Sequence, residues 1–187
     1  MAHITLNNEF PGIVGLLNYS PETARPLCEL ADVLLSSVSS LTKGEREIIA
    51  ASVSYKNGCH FCHTSHAAVA AAHLGTGVEL IDDIKVGLLN IEVSSKLRTL
   101  LQIAHQVQKG GKHVTAEDID AACKEGATDK EIHDTVLIAA AFCMYNRYVD
   151  GLATWAPTPN EAYMPMGEEL ATKGYVGATP ILTSKGV

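Results

Sequence analysis

Two cysteines and a histidine occur at helical spacing in the segment Cys59-His60-Phe61-Cys62-His63-Thr64-Ser65-His66. If a helix begins near Cys59, then Cys59, Cys62 and His66 lie on one of its faces. Unpaired N–H groups and the dipole at the N-terminus of this helix favour thiolate over thiol for both sulfurs. Two cysteines one turn apart can also form a disulfide, so one sulfur can attack while the other resolves. The spacing predicts thiol–disulfide chemistry.

A carboxylate that could act with this segment lies upstream, at Glu47. On one straight helix Glu47 would lie about 18 Å from Cys59, too far to act on it. The pair Asn57-Gly58 is a helix stop signal, however, and is expected to reverse the chain into a helical hairpin. Glu47 and His66 then fall within about one turn of each other. A carboxylate there can orient the imidazole and raise its basicity, as a general base for a thiol requires.

Helix signals run through most of the chain. Capping-box patterns begin at Thr42, Thr115 and Thr128, and each marks the start of a helix. The apolar spacing and the glycine stop signals predict helices at 21–37, 42–57, 60–74, 78–86, 94–109, 115–125 and 129–154, with a short one near 166–172. Only residues 3–7 alternate in polarity, and five terminal residues cannot make a sheet. The predicted fold class is an all-α, compact multi-helix bundle.

The length of 187 residues suits one domain over 1–187, with a core of about 42–154. The extension at 155–187 is rich in Pro and Gly and cannot form a core alone. It should therefore lie on the domain, reach a neighbouring subunit, or be loose. The segment Val136–Met144 is apolar on every side, which predicts a central helix.

Composition excludes several classes of function. The net charge of −7 disfavours nucleic acid as a partner, because phosphate binding needs a basic surface. The longest apolar stretch, Thr135–Tyr145, is about half the ~20 residues of a membrane-spanning helix. The N-terminus lacks the basic start and apolar run of a signal peptide. We therefore predict a cytoplasmic protein whose five cysteines are reduced at rest, so that a disulfide there would be catalytic rather than structural.

Four residues form the pattern Glu47-x11-Cys59-x2-Cys62-x3-His66. This pattern resembles the signature of the alkylhydroperoxidase D and carboxymuconolactone decarboxylase superfamily. Residues 57–62 and 144–152 resemble its roughly 190-residue "peroxidase-related" branch, and the resemblance runs from about 42 to 152. Four residues at fixed spacing are far more specific than a single C-x-x-C pair.

The resemblance implies an all-helical fold, oligomeric assembly and reduction of a hydroperoxide without haem, flavin or another cofactor. By position, Cys62 would be the thiolate that attacks the peroxide, Cys59 the resolving thiol, and His66 with Glu47 the proton relay. The implied partners are a hydroperoxide substrate, a dithiol or protein reductant, and further copies of the chain. A trimer or hexamer is favoured and a dimer is the smaller alternative.

The chain departs from this family at one position. The best-studied members carry a relay histidine immediately before the second cysteine, where this chain has Phe61, and His60 stands one place earlier. A histidine shifted by about 100° around a helix points elsewhere, which predicts less efficient proton delivery. The decarboxylase branch lacks the cysteine pair, which argues against lactone chemistry.

Two alternatives stay open at this point. The first is a protein of the same fold whose cysteine pair only senses redox state or exchanges disulfides with a partner. The second is a zinc site formed by Cys59, Cys62 and His66, with His60 or His63 as a fourth ligand. A structural zinc usually holds together segments that lack a core, and this chain can form one.

The sequence also predicts that the chain assembles with further copies of itself. We expect a symmetric oligomer with the Cys59–His66 helix at or near an interface, because residues 60–74 are rich in alanine, Val136–Met144 needs neighbours, and the tail can reach a second subunit. Arg147 and Asp150 are expected to form an ion pair or an interface contact, with a site-lining role as the alternative. The other histidines are predicted at the surface (His60, His63, His73, His105, His113, His133), and the other cysteines in the core or an interface (Cys28, Cys123, Cys143).

Overall fold

Helices form all the regular secondary structure in a computed structural model that describes residues 2–88, 93–179 and 182. The α-helices of these residues are α1 (Gly12–Tyr19), α2 (Pro21–Ser36), α3 (Lys43–Lys56), α4 (His60–Leu74), α5 (Glu79–Lys85), α6 (Ser95–Lys109), α7 (Ala116–Lys124), α8 (Asp129–Gly151) and α9 (Met164–Ala178). Short 3₁₀ turns occupy Gly111–His113 and Asn160–Tyr163. The predicted all-α class is confirmed. Over the described ranges, no helix is long and apolar enough to cross a membrane.

The seven long predicted helices correspond to α2–α8, with ends that differ by at most three residues. Helix α1 was not predicted from the sequence; it begins after Pro11 without a side-chain cap and contains two glycines, Gly12 and Gly15. The last helix, α9, is about twice as long as predicted and runs through Gly174, where the backbone turns out of helical geometry. Both segments lack the capping signals on which the sequence prediction depended.

The three predicted capping boxes are present. In each, the threonine side chain accepts a backbone N–H three residues on, and an acidic side chain bonds back to the threonine N–H; they open α3 (Thr42), α7 (Thr115) and α8 (Thr128). Substituting such a cap by alanine costs on the order of 1 kcal/mol. The starts of these helices are therefore specified locally.

The turn between α3 and α4 positions the cysteine segment. Gly58 has a φ of +77°, in the left-handed region that glycine enters without steric cost. The Cys59 N–H then donates to the Ser54 carbonyl over 3.0 Å, which places Cys59 at the N-cap of α4. The last turn of α3 and the first of α4 are thereby joined without an intervening loop.

The most enclosed helix is α3, which is buried from Arg46 to Ser54. The prediction of a central helix at Val136–Met144 is only partly met, because Leu137 is 41% exposed and Met144 is 44% exposed. Neighbouring helices cover the other side of α8, where Phe142 and Tyr145 are buried.

The C-terminal extension, as far as Thr179, lies on the chain's own helices. Gly167 of α9 approaches α4 so closely that a Cβ atom there would lie 2.7 Å from the Ala68 carbonyl carbon. The small residues of α4 therefore admit α9, and Ala67, Ala68 and Ala70 are fully buried within one chain. Pro180 and residues 181 and 183–187 lie outside the described part of the chain.

Candidate active site

Glu47 and His66 meet between α3 and α4. Glu47 is 1% exposed, and its Oε2 lies 2.7 Å from Nδ1 of His66. Since a carboxylate accepts, Nδ1 carries the hydrogen, and the neutral imidazole then has its lone pair on Nε2. The Phe142 ring packs edge-on against the imidazole, with ring centroids 4.5 Å apart. The geometry thus gives a fixed imidazole with one basic nitrogen left for a substrate or a thiol.

A tyrosine from the C-terminal helix completes this pair. The Tyr175 O–H donates to Oε1 of Glu47 over 2.7 Å, and its oxygen lies 3.1 Å from Nδ1 of His66. The two rings stack with centroids 5.7 Å apart. Burial, and then the charge of Glu47, raise the pKa of Tyr175 well above its usual value, so it stays a protonated donor. Tyr175 was not predicted as a site residue, because it lies 128 positions after Glu47, in the Pro- and Gly-rich extension, with no motif around it.

The two cysteines differ in their surroundings although they lie one turn apart. Both thiols are free and buried. A hydrogen bond to Cys62, burial, and the charge of Cys62 raise the pKa of the Cys59 thiol, and the Asp150 carboxylate acts in the same direction. The expectation that the helix terminus would favour a thiolate at both sulfurs is therefore wrong for Cys59. The raised pKa keeps Cys59 as a thiol that donates its S–H to Cys62.

A cavity of about 310 Å³ adjoins Cys62 and His66. It is bounded by α1, α2, α4, α8 and α9, and its walls are largely aliphatic and aromatic. The wall residues include Ile13, Val14, Leu17, Leu27, Ala31, Phe61, Phe142, Tyr145, Met166, Leu170 and Tyr175. Cavities of this size and character hold small organic ligands in many proteins. Of the two active-site sulfurs, only Cys62 lines it.

Phe61 forms part of the cavity wall beside Cys62. Its ring lies against α1, where a Cβ atom at Gly12 would come within 2.3 Å of it, and it packs on Tyr163 with centroids 5.8 Å apart. His60 is exposed and its Nε2 bonds to the Pro157 carbonyl over 3.0 Å. His60 therefore does not take the place of the absent relay histidine, and Phe61 supplies apolar surface there instead.

The surface prediction for the other histidines is wrong for His63. This side chain is 2% exposed, and its ring nitrogens lie 3.1 Å from the Ala51 carbonyl oxygen and 3.2 Å from that of Ile81. Burial lowers the pKa of His63. His105 is half-buried, with Nε2 2.7 Å from the Ser52 hydroxyl, and burial lowers its pKa to about 4. The packing of α4, α5 and α6 against α3 covers both histidines.

The three remaining cysteines lie at different depths in the fold. Cys28 is buried and lines the same cavity as Cys62, Cys143 is half-buried, and Cys123 is exposed, contrary to a core position.

Arg147 donates to the Cys143 carbonyl over 2.7 Å. Asp150 acts on the Cys59 thiol, which favours the site-lining alternative for this residue.

The zinc alternative has no support from the geometry. Within the described part of the chain, no group of three or more His, Cys, Asp or Glu side chains could hold a metal ion. Nδ1 of His66 is engaged by Glu47, and His63 is engaged by backbone carbonyl groups. Nδ1 of His66 and both ring nitrogens of His63 therefore already have other partners.

Comparisons with known proteins find one matching family model and solved structures with a similar fold. The carboxymuconolactone decarboxylase family model matches residues 21–87, a segment that contains Glu47, both active-site cysteines and His66. An alkylhydroperoxidase AhpD core protein from Ralstonia eutropha JMP134, described as uncharacterized and peroxidase-related, shares 28% identity at a TM-score of 0.73, over 84% of this chain and 81% of the other. The comparison with curated proteins finds no match.

Two further solved structures share the fold. An uncharacterized peroxidase-related protein from Silicibacter sp. TM1040 is 23% identical at a TM-score of 0.71, over 82% of this chain and 78% of the other. A protein of unknown function from Agrobacterium tumefaciens, proposed to be the antioxidant defence protein AhpD, is 21% identical at a TM-score of 0.66, over 79% and 99%. The family resemblance predicted from the sequence is confirmed.

Proposed function

Since residues 21–87 match the carboxymuconolactone decarboxylase family and the fold is that of AhpD-like, peroxidase-related proteins, we propose that this protein is a thiol-dependent hydroperoxide reductase. One observation carries the proposal: Cys62 and the hydrogen-bonded His66–Glu47 pair line or adjoin one apolar cavity. A thiol, a base and a group that orients the base are the components of an activated nucleophile.

The first step consumes the peroxide. His66 Nε2 takes the Cys62 proton, and Glu47 holds the imidazolium that results. The Cys62 thiolate attacks the terminal peroxide oxygen, so that an S–O bond forms and the O–O bond breaks. The leaving alkoxide takes the proton from His66 and departs as the alcohol. Cys62 is then a sulfenic acid.

The second step forms the disulfide. Cys59, which is hydrogen-bonded to Cys62, attacks the sulfenic sulfur, an S–S bond forms, and hydroxide leaves. The Cys59 proton, accepted at first by the neighbouring Asp150 carboxylate, converts hydroxide to water. A dithiol reductant then restores both thiols by exchange. One hydroperoxide and one dithiol thus give one alcohol, one water molecule and one oxidised reductant.

The cavity favours an organic hydroperoxide over hydrogen peroxide. Its walls are largely aliphatic and aromatic, and burial of apolar surface is worth about 25 cal/mol per Å². A carboxylate-bearing lactone, by contrast, would need a cationic partner, and the lining residues that the structure describes include neither lysine nor arginine. The cavity therefore supports peroxide reduction rather than decarboxylation.

Redox sensing by exchange with a protein partner is the second candidate function. Such exchange requires a sulfur that a partner can reach, whereas Cys59 is 1% exposed and Cys62 is 3% exposed. A small substrate can enter the cavity, but a folded partner cannot reach either sulfur without movement of the covering helices. The burial of the pair therefore favours the peroxidase.

The test is consumption of cumene hydroperoxide and of hydrogen peroxide by the purified protein with dithiothreitol as reductant. We expect turnover in the parent, a preference for the organic peroxide, and no enzymatic turnover in Cys62→Ser. Cys123→Ser is the matched control, because Cys123 is an exposed thiol on α7, and it should retain parental activity. A parent without turnover, or an active Cys62→Ser variant, would overturn the proposal.

A further inference from the structure

We infer that Tyr175 is a positioning residue for the Glu47–His66 pair, and that Asp32 holds it in place through a clamp on α9. The inference rests on the proposed function, and it makes the C-terminal extension part of the active site. It is carried by two sets of contacts, one around Gly174 and one around the Tyr175 hydroxyl.

The first set of contacts holds the backbone of α9. At Gly174 the chain leaves helical geometry, with φ 70° and ψ 178°. Immediately afterwards the N–H groups of Tyr175 and Val176 donate to the two oxygens of the Asp32 carboxylate, over 2.6 Å and 3.0 Å. Asp32 belongs to α2, so a side chain remote in sequence provides the cap for the final turn of α9. A Cβ atom at Gly174 would lie 2.7 Å from Oδ1 of Asp32, which makes glycine necessary at this turn.

The second set of contacts acts on the carboxylate of the relay. Each oxygen of Glu47 accepts one hydrogen bond, Oε1 from Tyr175 and Oε2 from His66. Because Glu47 is buried, an oxygen without a donor would carry a desolvation penalty, and the carboxylate would lose stability as an anion. The Tyr175 hydroxyl thus provides the donor for Oε1 and holds the Glu47 carboxylate in its orientation toward His66.

The ring of Tyr175 acts on the imidazole at the same time. It lies nearly parallel to the His66 ring, with an interplanar angle of 21°, on a different side from Phe142, which packs edge-on. The imidazole is therefore held by one aromatic ring on a face and another at right angles. Tyr145 lines the same cavity, but its hydroxyl donates to the Leu27 backbone carbonyl. Of these two phenols, Tyr175 is the one whose hydroxyl touches the relay.

The test compares Tyr175→Phe, Asp32→Ala and the double variant with the parent, and uses Tyr19→Phe as a matched loss of a hydroxyl on an exposed tyrosine. Tyr175→Phe retains the stacked ring, so we expect an unchanged KM for cumene hydroperoxide and a kcat about ten-fold lower, the scale of one hydrogen bond to a charged group. Asp32→Ala should show the same pattern. In the double variant the two losses should not multiply, because both act through one hydroxyl.

A second measurement does not depend on peroxidase activity. The rate at which iodoacetamide alkylates Cys62, followed by mass spectrometry of the digested protein, reports how readily the relay deprotonates the thiol. We expect alkylation at pH 7 to be about three- to ten-fold slower in Tyr175→Phe and in Asp32→Ala than in the parent or in Tyr19→Phe. Asp32→Asn, which keeps one acceptor oxygen, should restore part of the rate if Asp32→Ala folds poorly.

The outcomes separate the two proposals. A parent that alkylates readily but consumes no peroxide would overturn the proposed function and leave the role of Tyr175 intact. Parental rates of alkylation and turnover in folded Tyr175→Phe would overturn this inference. So would an effect of Asp32→Ala that persists in full on the Tyr175→Phe background.

Discussion

Neighbouring side chains assign different roles to Cys59 and Cys62, two residues of the same type in the same turn. Cys59 is kept as a thiol by its hydrogen bond to Cys62, by burial and by Asp150. Cys62 shares the cavity with His66 and the aromatic wall. The difference arises because, of the two sulfurs, only Cys62 lines the cavity that α2 and α9 help to bound.

This division predicts different products when each sulfur is removed. After mild treatment with peroxide, the parent should lose two hydrogens in intact mass and digestion should give one peptide with a Cys59–Cys62 disulfide. Cys59→Ser should instead gain one oxygen, because the sulfenic acid at Cys62 has no resolving partner. Oxidised parent protein that kept both thiols free would contradict the dithiol–disulfide cycle.

The buried Glu47–His66 pair predicts a large kinetic effect with little structural change. Glu47→Gln and His66→Phe should slow peroxide turnover by about 10²–10⁴-fold, the usual scale for loss of a positioned acid–base group. Circular dichroism should show a nearly unchanged helix content. Parental turnover in both variants would mean that the N-terminus of α4 alone activates the thiol.

At the scale of elements, pairs of helices place a few polar groups at contacts that are otherwise apolar. Ser52 of α3 meets His105 of α6, and His63 of α4 meets carbonyl groups of α3 and α5. These contacts exclude water from the imidazoles and keep them neutral. The free energy of unfolding should therefore depend on pH through these histidines.

The pKa of His105 determines the direction of this pH dependence. Its pKa is about 4 in the folded chain and about 6.5 when unfolded, so between these values the unfolded state binds more protons. The free energy of unfolding should therefore fall as the pH falls from about 6.5 to 4, by on the order of 2 kcal/mol from His105 after allowance for its partial exposure.

Urea unfolding at a series of pH values checks this prediction. His105→Gln should flatten the slope between about pH 6.5 and 4, because glutamine does not titrate. His113→Gln, at an exposed position, is the matched control and should keep the parental slope. Equal slopes in all three proteins would show that His105 does not sense pH through folding.

At the scale of the whole molecule, two of the three reasons to expect an oligomer are accounted for within one chain. The alanine face of α4 receives α9, and the tail as far as Thr179 lies on its own helices. The third reason persists, because Leu137 and Met144 leave an apolar strip on α8 open to solvent. Assembly, with a trimer or hexamer favoured and a dimer as the smaller alternative, stays a prediction, and the strip is the surface that it would cover.

Light scattering at low micromolar concentration measures the mass of the assembly. A trimer or hexamer of the 19.9 kDa chain should give about 60 or 120 kDa, and closed symmetry is the usual arrangement. Met144→Lys should lower the mass towards that of a monomer, since it buries a charge in the interface. His133→Lys, an exposed position nearer the start of α8, is the control. A parent mass near 20 kDa with full activity would show that assembly is neither present nor required.

Local interactions explain which features could be predicted from the sequence. Capping boxes, glycine stops and the 3.6-residue period depend on neighbours within a few positions, so the sequence predicted α2–α8 nearly to their ends. The same locality applies to Glu47 and His66, because one turn at Asn57-Gly58 determines their relative depth. The contact between them follows from eleven residues of one helix and eight of the next.

Contacts between residues distant in sequence determine the features that could not be predicted. Tyr175 reaches Glu47 from 128 positions away, because Asp32 of α2 holds the final turn of α9 and Gly167 lets α9 approach α4. His63 is buried because α3 and α5 enclose it, and Cys59 has a raised pKa because Cys62 and Asp150 surround a desolvated thiol. The sequence by itself determined α2–α8 and the four-residue pattern. The tertiary structure decided which sulfur faces the cavity and which phenol holds the relay, because those choices depend on contacts between helices that no local pattern encodes.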